Sequence, residues 1–294
     1  MKLQNHALLL MMVLLTGFIL FAGCTGEKSE STQKGKIIGI EPGAGIMQKT
    51  EDAIRDYDLD YNLVSSSSAG MASELTKAVN SGKWIVVTGW SPHWKFARFD
   101  LKYLDDPKGV YGGDEDICAL TRVGFEEDNP GAYGILTRFN WSPEEMASVM
   151  LAIEEGKEPE VAAEDYLNAH PEQLSAWTGS ASGDGSLVTI GYVLWDSEIA
   201  STNVLKLVFE RAGYTVKLVA VDAGPLYQAV SKGDVDCTIS AWLPVTHSTY
   251  MEKYGDDLVI AGTILSGAKI GLVVPDYVTI SSIDELNSVK EKFQ

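Results

Sequence analysis

Residues 69–92 read AGMASELTKAVNSGKWIVVTGWSP, and residues 223–244 read AGPLYQAVSKGDVDCTISAWLP. Both open on Ala-Gly, pass through Leu-x-x-Ala-Val-x-x-Gly and close on Trp-x-Pro. Leu75, Ala78, Val79, Gly82 and Trp90-Ser91-Pro92 stand against Leu226, Ala229, Val230, Gly233 and Trp242-Leu243-Pro244. The match continues upstream, with Ile38-Gly39 against Ile190-Gly191 and Leu63-Val64 against Leu218-Val219, at an offset of 151 to 155 positions. A spacing this long is not a solenoid period. It describes two copies of one α/β unit, each with a tryptophan just past a strand end.

The first copy starts with an apolar strand at Lys36–Ile40 and a turn at Glu41–Gly45, and Ile46–Tyr57 has helical spacing. Leu63-Val64 is a second strand, Met71–Val79 a helix and Trp84–Thr88 a third strand. Strand and helix in alternation imply a parallel sheet covered on both faces. The second copy repeats the order with strands at Thr189–Leu194, Val216–Val221 and Cys237–Ser240 and helices at Ile199–Ala212 and Leu226–Val230. Between the copies, Ser142-Pro143-Glu144-Glu145 is a helix start, with a cap, a proline at the first helical position and a glutamate three residues after the cap. Val161–Trp177 reads as one helix. A tail strand at Ala268–Pro275 and a helix at Ile283–Phe293 have no partner in the second copy, so they are expected to return to the first, beside the strand at Ile37. The expected organisation is a two-lobed α/β chain, with residues 36–98 plus 268–294 as lobe I and 99–267 as lobe II. The chain would cross between lobes near Trp94–Lys102 and again near Gly262–Ile270, and two crossings make a hinge.

Residues 1–23 read as a targeting segment, with Lys2 ahead of an almost unbroken apolar run from Ala7 to Gly23. Small residues directly before Cys24 point to a lipoprotein signal, cut before Cys24 and lipidated on it; an uncleaved anchor and an ordinary secretory signal are the alternatives. Residues 24–35 are polar and form a tether. Each of these readings puts the body outside the cytoplasm. The net charge of −18 excludes nucleic acid as a partner, because that binding needs Lys and Arg against phosphate. Cys118 and Cys237 lie in apolar settings and read as unpaired core thiols, although the compartment would permit a disulfide.

In open parallel sheets ligands bind beyond the carboxyl ends of the strands. Trp90, Trp195 and Trp242 fall there, after strands ending at Thr88, Leu194 and Ser240. The plain alternative for any tryptophan is the core, which suits Trp84, Trp177 and Trp141; Trp94 stays open. A quaternary ammonium has no N–H to donate and is drawn instead to aromatic faces, at ~0.5–2 kcal/mol per ring. A natural compound with such a head often carries a carboxylate. The turn Pro42-Gly43-Ala44-Gly45-Ile46, opening a helix, could receive it on backbone amides.

Ile37–Met47, Thr88–Trp94, Trp195–Thr202 and Ser240–His247 closely resemble the glycine betaine substrate-binding proteins of osmoprotectant ABC transporters, and the resemblance spans Lys36 to Gln294. It implies a periplasmic-binding-protein-like fold of two α/β lobes, each a parallel-rich sheet flanked by helices, closing on ligand like a flytrap. It implies that Trp90, Trp195 and Trp242 form a prism around a trimethylammonium group and that the amides of Gly45 and Ile46 bind the carboxylate. His247 matches a position that contacts the carboxylate of bulkier betaines. The partners implied are a permease and separate ATPase subunits, the membrane through a lipid on Cys24, and no nucleic acid; the protein is expected to be a monomer on the outer face of the cytoplasmic membrane, with no cofactor and no metal.

Two other readings use the same residues. The scaffold could be tuned to choline, carnitine or another quaternary amine, and the carboxylate turn argues against choline. An enzyme acting on such a compound is more distant. The mature chain has only His93, His170 and His247, shows no Ser/His/Asp or His/Cys set at a recognisable spacing, and lacks the phosphate-binding Gly-x-x-x-x-Gly-Lys. Presenting ligand to a receptor is a further use of the same fold.

Overall fold

Strand and helix alternate along both copies as the hydrophobic spacing demands. The first copy runs β1 (Gly35–Ile38), α1 (Gly45–Asp56), β2 (Tyr61–Val64), α2 (Ser68–Asn80) and β3 (Val87–Ser91), followed by a single turn, α3 (Lys95–Arg98), and β4 (Leu101–Tyr103). A middle section holds β5 (Glu115–Arg122), α4 (Phe125–Asp128), α5 (Pro130–Arg138), α6 (Pro143–Glu154), α7 (Pro159–Ala169) and α8 (Pro171–Thr178). The second copy runs β6 (Leu187–Tyr192), α9 (Asp196–Arg211), β7 (Thr215–Ala220), α10 (Ala223–Ser231) and β8 (Cys237–Leu243), then α11 (Ser248–Tyr254) and the 18-residue β9 (Leu258–Pro275). The computed structural model describes residues 33–294, so the expected signal segment, Cys24 and the tether through residue 32 lie outside the described residues. Among the described residues no helix is long and apolar enough to cross a membrane.

Local chemistry accounts for several boundaries. Ser142 and Glu145 form a complete capping box on α6: the Glu145 amide donates to Ser142 Oγ at 3.2 Å, and the Ser142 amide donates to Glu145 Oε2 at 2.7 Å. The segment 161–177 is two helices rather than one. Pro171 has no amide to continue α7 and its ring disfavours helical backbone at His170, which has φ −126° and ψ 58°. The expected helix at Ile283–Phe293 is a kinked 3₁₀ stretch over Ile283–Lys292, with non-helical φ and ψ at Val289.

The strands follow the order β2-β1-β3-β9-β5-β8-β6-β7, with β4 also pairing β9. Pairing within each copy is parallel, β1 with β2 and β3, and β6 with β7 and β8. β9 and β5 run antiparallel to their neighbours, so the sheet is mixed. The tail strand does not lie beside the strand at Ile37: β9 pairs β3, with Trp90 opposite Ile270, and only the last residues reach β1, where the Lys36 amide donates to the Phe293 carbonyl at 2.7 Å. β9 also starts ten residues earlier than expected. Its first half pairs β5 up to Ala268, and from Lys269 it pairs β3. The change of partner falls next to Gly267, whose φ of +79° is open to glycine and strained for other residues.

Repeat positions form the core. Leu75 and Leu226 are fully buried, and Ile190 is fully buried where its counterpart Ile38 is half-buried. Cys118 and Cys237 are buried and free.

Candidate functional site

α1 begins at Gly45 with no side chain capping its start. The first amides of a helix have no intrahelical acceptor, so Gly45 and Ile46 present N–H groups with the positive end of the helix dipole behind them. The glycine at position 45 is there for closeness rather than for φ. A Cβ on it would meet the Thr246 carbonyl oxygen, Thr246 Cγ2 at 2.7 Å and His247 Cδ2 at 2.9 Å. The turn of the first copy and the loop after β8 of the second are thus in contact.

These two loops and three indoles line one cavity. Trp90, Trp195 and Trp242 line it, as do Gly45, Ile46 and His247, so all six expected site residues come together. The three tryptophans are at most 6 % exposed. Trp90 and Trp242 lie inside β3 and β8 rather than beyond their ends, because pairing with Ile270 and Ile117 carries both strands through the tryptophan. Only Trp195 stands past its strand, as the residue before α9. Its Nε1 donates to the Glu41 carboxylate from the first copy. Burial raises the Glu41 pKa, and the indole donor opposes that rise.

His247 is 1 % exposed. Its Nδ1 accepts from the Trp242 amide at 3.1 Å and faces the Tyr227 hydroxyl at 3.0 Å. An amide can only donate, so Nδ1 carries a lone pair and the neutral ring carries its proton on Nε2. Nε2 is buried and has no hydrogen-bond partner among the described residues. Desolvation pushes the pKa down to about 3, so the ring is a neutral donor throughout the ordinary pH range. The Trp195 ring stacks on it at 5.8 Å between centroids.

Four titratable groups surround this set without lining the cavity. Asp196, the first residue of α9, turns its carboxylate away from its own helix. It accepts from Ser68 Oγ at 2.5 Å and Trp94 Nε1 at 2.8 Å and lies 3.4 Å from His93 Nε2, all in the first copy. Burial would raise its pKa, but these donors outweigh burial and hold it well below the usual carboxylate range. Trp94, left open by sequence, is therefore a buried contact between the copies. Glu198, two residues further along α9, is fully buried, accepts from Ser240 Oγ and is pushed up to about 7 by desolvation. Lys95 is fully buried with its Nζ 4.4 Å from the Trp90 ring centroid. His93 sits edge-on to the same ring at 4.7 Å, and desolvation pushes its pKa down to about 4.

Sequence reading gave Asp196, Glu198 and Lys95 no role. An acid just after a tryptophan at a helix start reads as a cap, and a lysine among Arg98, Asp100 and Lys102 reads as a solvated face. The one available signal was that Asp196 and Glu198 lie two residues apart beside a tryptophan already singled out.

Three comparisons bear on this site. The profile of the family described as the substrate binding domain of ABC-type glycine betaine transport system matches residues 25–169 and 186–294. The chain is 45% identical over 259 residues to the glycine betaine/carnitine transport binding protein GbuC of Listeria monocytogenes serotype 1/2a (strain 10403S), covering 86% of each chain. Among solved structures it is similar to lactococcal OpuAC in its closed, liganded conformation with glycine betaine, at 43% identity and a TM-score of 0.44 over 49% of this chain and 57% of that one. It is also similar to an ABC-transporter choline binding protein in complex with choline, at 28% identity and a TM-score of 0.45 over 58% and 59%. The superpositions thus span little more than half of either solved chain. The family match and the Listeria relative cover most of this chain: it belongs to the substrate-binding domains of ABC-type glycine betaine transport systems, and is accordingly an extracytoplasmic binding protein of such a system and not an enzyme.

Proposed function

We propose that the cavity holds glycine betaine or a related betaine, with its trimethylammonium group among Trp90, Trp195 and Trp242 and its carboxylate on the amides of Gly45 and Ile46. The observation that carries this reading is the pairing within one cavity of three buried indoles with free amide donors at the start of α1. The indoles offer what a quaternary ammonium can use, and the amides offer what a carboxylate needs. His247 Nε2 is a second donor, placed for the longer reach of a carnitine or proline-derived carboxylate. Choline would leave these buried donors without an acceptor, which is unfavourable.

Residues 36–98 plus 268–294 and residues 99–267 act as two lobes that close on the ligand. Asp196 with Ser68 and Trp94, and Glu41 with Trp195, are contacts of the closed state. The protein is lipid-anchored through Cys24 on the outer face of the cytoplasmic membrane, works as a monomer and delivers its ligand to a permease driven by separate ATPase subunits. Calorimetric titration with glycine betaine, carnitine, choline and proline in parallel tests the ligand assignment. Betaines are expected to bind most tightly and proline not at all. Equal binding of choline and glycine betaine would remove the carboxylate role of Gly45 and Ile46.

A further inference from the structure

Lys95 Nζ has no carboxylate within 4.0 Å among the described residues, despite full burial. Its one hydrogen bond goes to the Trp90 carbonyl at 3.3 Å. The remaining contacts are aromatic, Trp90 at 4.4 Å and Phe96 at 5.2 Å from the ring centroids. Lys95 does not line the cavity, whereas Trp90 does. The amine therefore covers the Trp90 face turned away from the cavity. An ammonium in that place draws on the same π density that a cation on the front face would use.

We infer that Lys95 is an affinity-determining residue: its protonated form opposes, from behind Trp90, the quaternary ammonium received on the front face, so that ligand capture expels the Lys95 proton. The inference rests on the cage reading above. In the step, the Nζ–H bond breaks, its electron pair stays on nitrogen and the proton passes to buffer. Nothing is oxidised or reduced.

The neighbouring groups leave the ammonium poorly compensated. The Lys95 amide donates to His93 Nδ1 at 3.2 Å, so the neutral imidazole carries its proton on Nε2, toward Asp196. Asp196 acts on Lys95 only through space, since its oxygens are engaged by Ser68 and Trp94. Arg98 on the same turn lies over Trp94 and pairs with Glu154 of α6 at 2.9 Å. On the β4 and β9 side, Tyr103 stacks on Phe96 at 5.2 Å and carries Lys269 at 4.8 Å, one more positive charge. Burial lowers the Lys95 pKa to about 7, which puts the coupling in the working range.

A ligand cation within about 6 Å of the ring centroid stands roughly 9 Å from Nζ. At an effective dielectric of about 20, repulsion between unit charges at that distance is worth on the order of tenfold in Kd. The test is calorimetric titration of the full chain with glycine betaine in phosphate and in Tris at pH 7, and across pH 6 to 8.5. The expected result is release of a substantial fraction of one proton on binding, with affinity rising about tenfold over that range. Lys95→Met should lose both effects and bind at pH 6 as tightly as the parent does at pH 8.5. Buffer-independent heats with pH-flat affinity in the parent protein overturn the inference and leave the cage intact, and that measurement needs no variant to fold. Proton release that persists in a folded Lys95→Met variant also overturns it. Absence of betaine binding at every pH removes the cage and Lys95's role together.

Discussion

Trp90 and Trp242 occupy matching places in the two copies, 152 positions apart, and both precede a proline in a cis peptide. What lies behind them differs in sign. Trp90 is backed by the Lys95 amine, while Glu198 stands near Trp242 and holds Ser240, two residues earlier in the same strand. The residue 152 positions after Lys95 is His247, a neutral donor that lines the cavity. The repeat has kept its backbone and its aromatic rings and has let the polar groups around them diverge. Burial pushes both charged groups toward neutrality, Lys95 down to about 7 and Glu198 up to about 7. Two rings in similar backbone settings therefore present a cation with different electrostatic backgrounds.

Gly45→Ala tests the contact that joins the copies, and the largest effect is expected there. Its Cβ has no room beside the Thr246 carbonyl, and the turn cannot yield without moving α1. Calorimetry should show at least a ~100-fold loss of betaine affinity, about 3 kcal/mol; parent-like binding would separate the turn from the second copy.

Glu198→Gln probes the carboxyl on the Trp242 side. The folded pKa of about 7 lies above the ordinary 4.5, so the group's contribution to stability is fully present below pH ~4.5 and is lost as pH rises toward 7. Urea unfolding of the parent should show a loss on the order of 3 kcal/mol over that window, and the variant should be flatter by that amount. An unchanged pH profile would mean that Glu198 is not held protonated.

Trp90→Ala and Trp242→Ala set the two ends against each other directly. Each should cost ~1–3 kcal/mol of betaine affinity. Trp242→Ala should cost more than Trp90→Ala at pH 6, and the cost of Trp90→Ala should rise at pH 8.5 as Lys95 loses its charge. Phe at either place should retain much of the affinity. Equal losses at both pH values would erase the electrostatic difference between the rings.

Asp196→Asn is expected to have the smallest effect. The amide keeps the shape and one acceptor for Ser68 or Trp94 but removes the charge, at about 1–2 kcal/mol in affinity for the closed form. In the parent, that contribution is present above the ordinary carboxylate pKa near 4 and is lost as pH falls below it, because the folded pKa is depressed. Titration at pH 3 and pH 7 checks the sign.

The repeat was legible because its pattern is made of core positions. Leu75 and Leu226 recur at one spacing for a packing reason, and that reason survives without coordinates. Of the six residues that line the cavity, the three tryptophans and the turn at Gly45-Ile46 were legible from strand ends and from a glycine turn opening a helix, whereas His247 was reached only through the resemblance. The charges behind the rings were not legible. Lys95 is buried by partners far along the chain, with Phe96 pressed on Tyr103 and β9 closing over β3, and no local spacing announces that. The length of β9 was hidden for a related reason: the stretch near Gly262–Ile270 reads as a crossing between lobes, while Gly267 in fact lets one strand change partners without ending.

That continuous strand has a consequence for the order of assembly. β9 lies between β3 and β5, so the edge of β3 has no neighbour until residues 269–273 are in place. The two elements are separated by about 180 positions, and pairing so distant in sequence is slow. An early intermediate would therefore expose β3, including Trp90, as an open edge of the kind that recruits other chains. Slow refolding at high protein concentration should lose material to aggregation at this edge first, and protection against hydrogen exchange of the Gly89 amide, on the side of β3 that faces β9, should be among the last to develop.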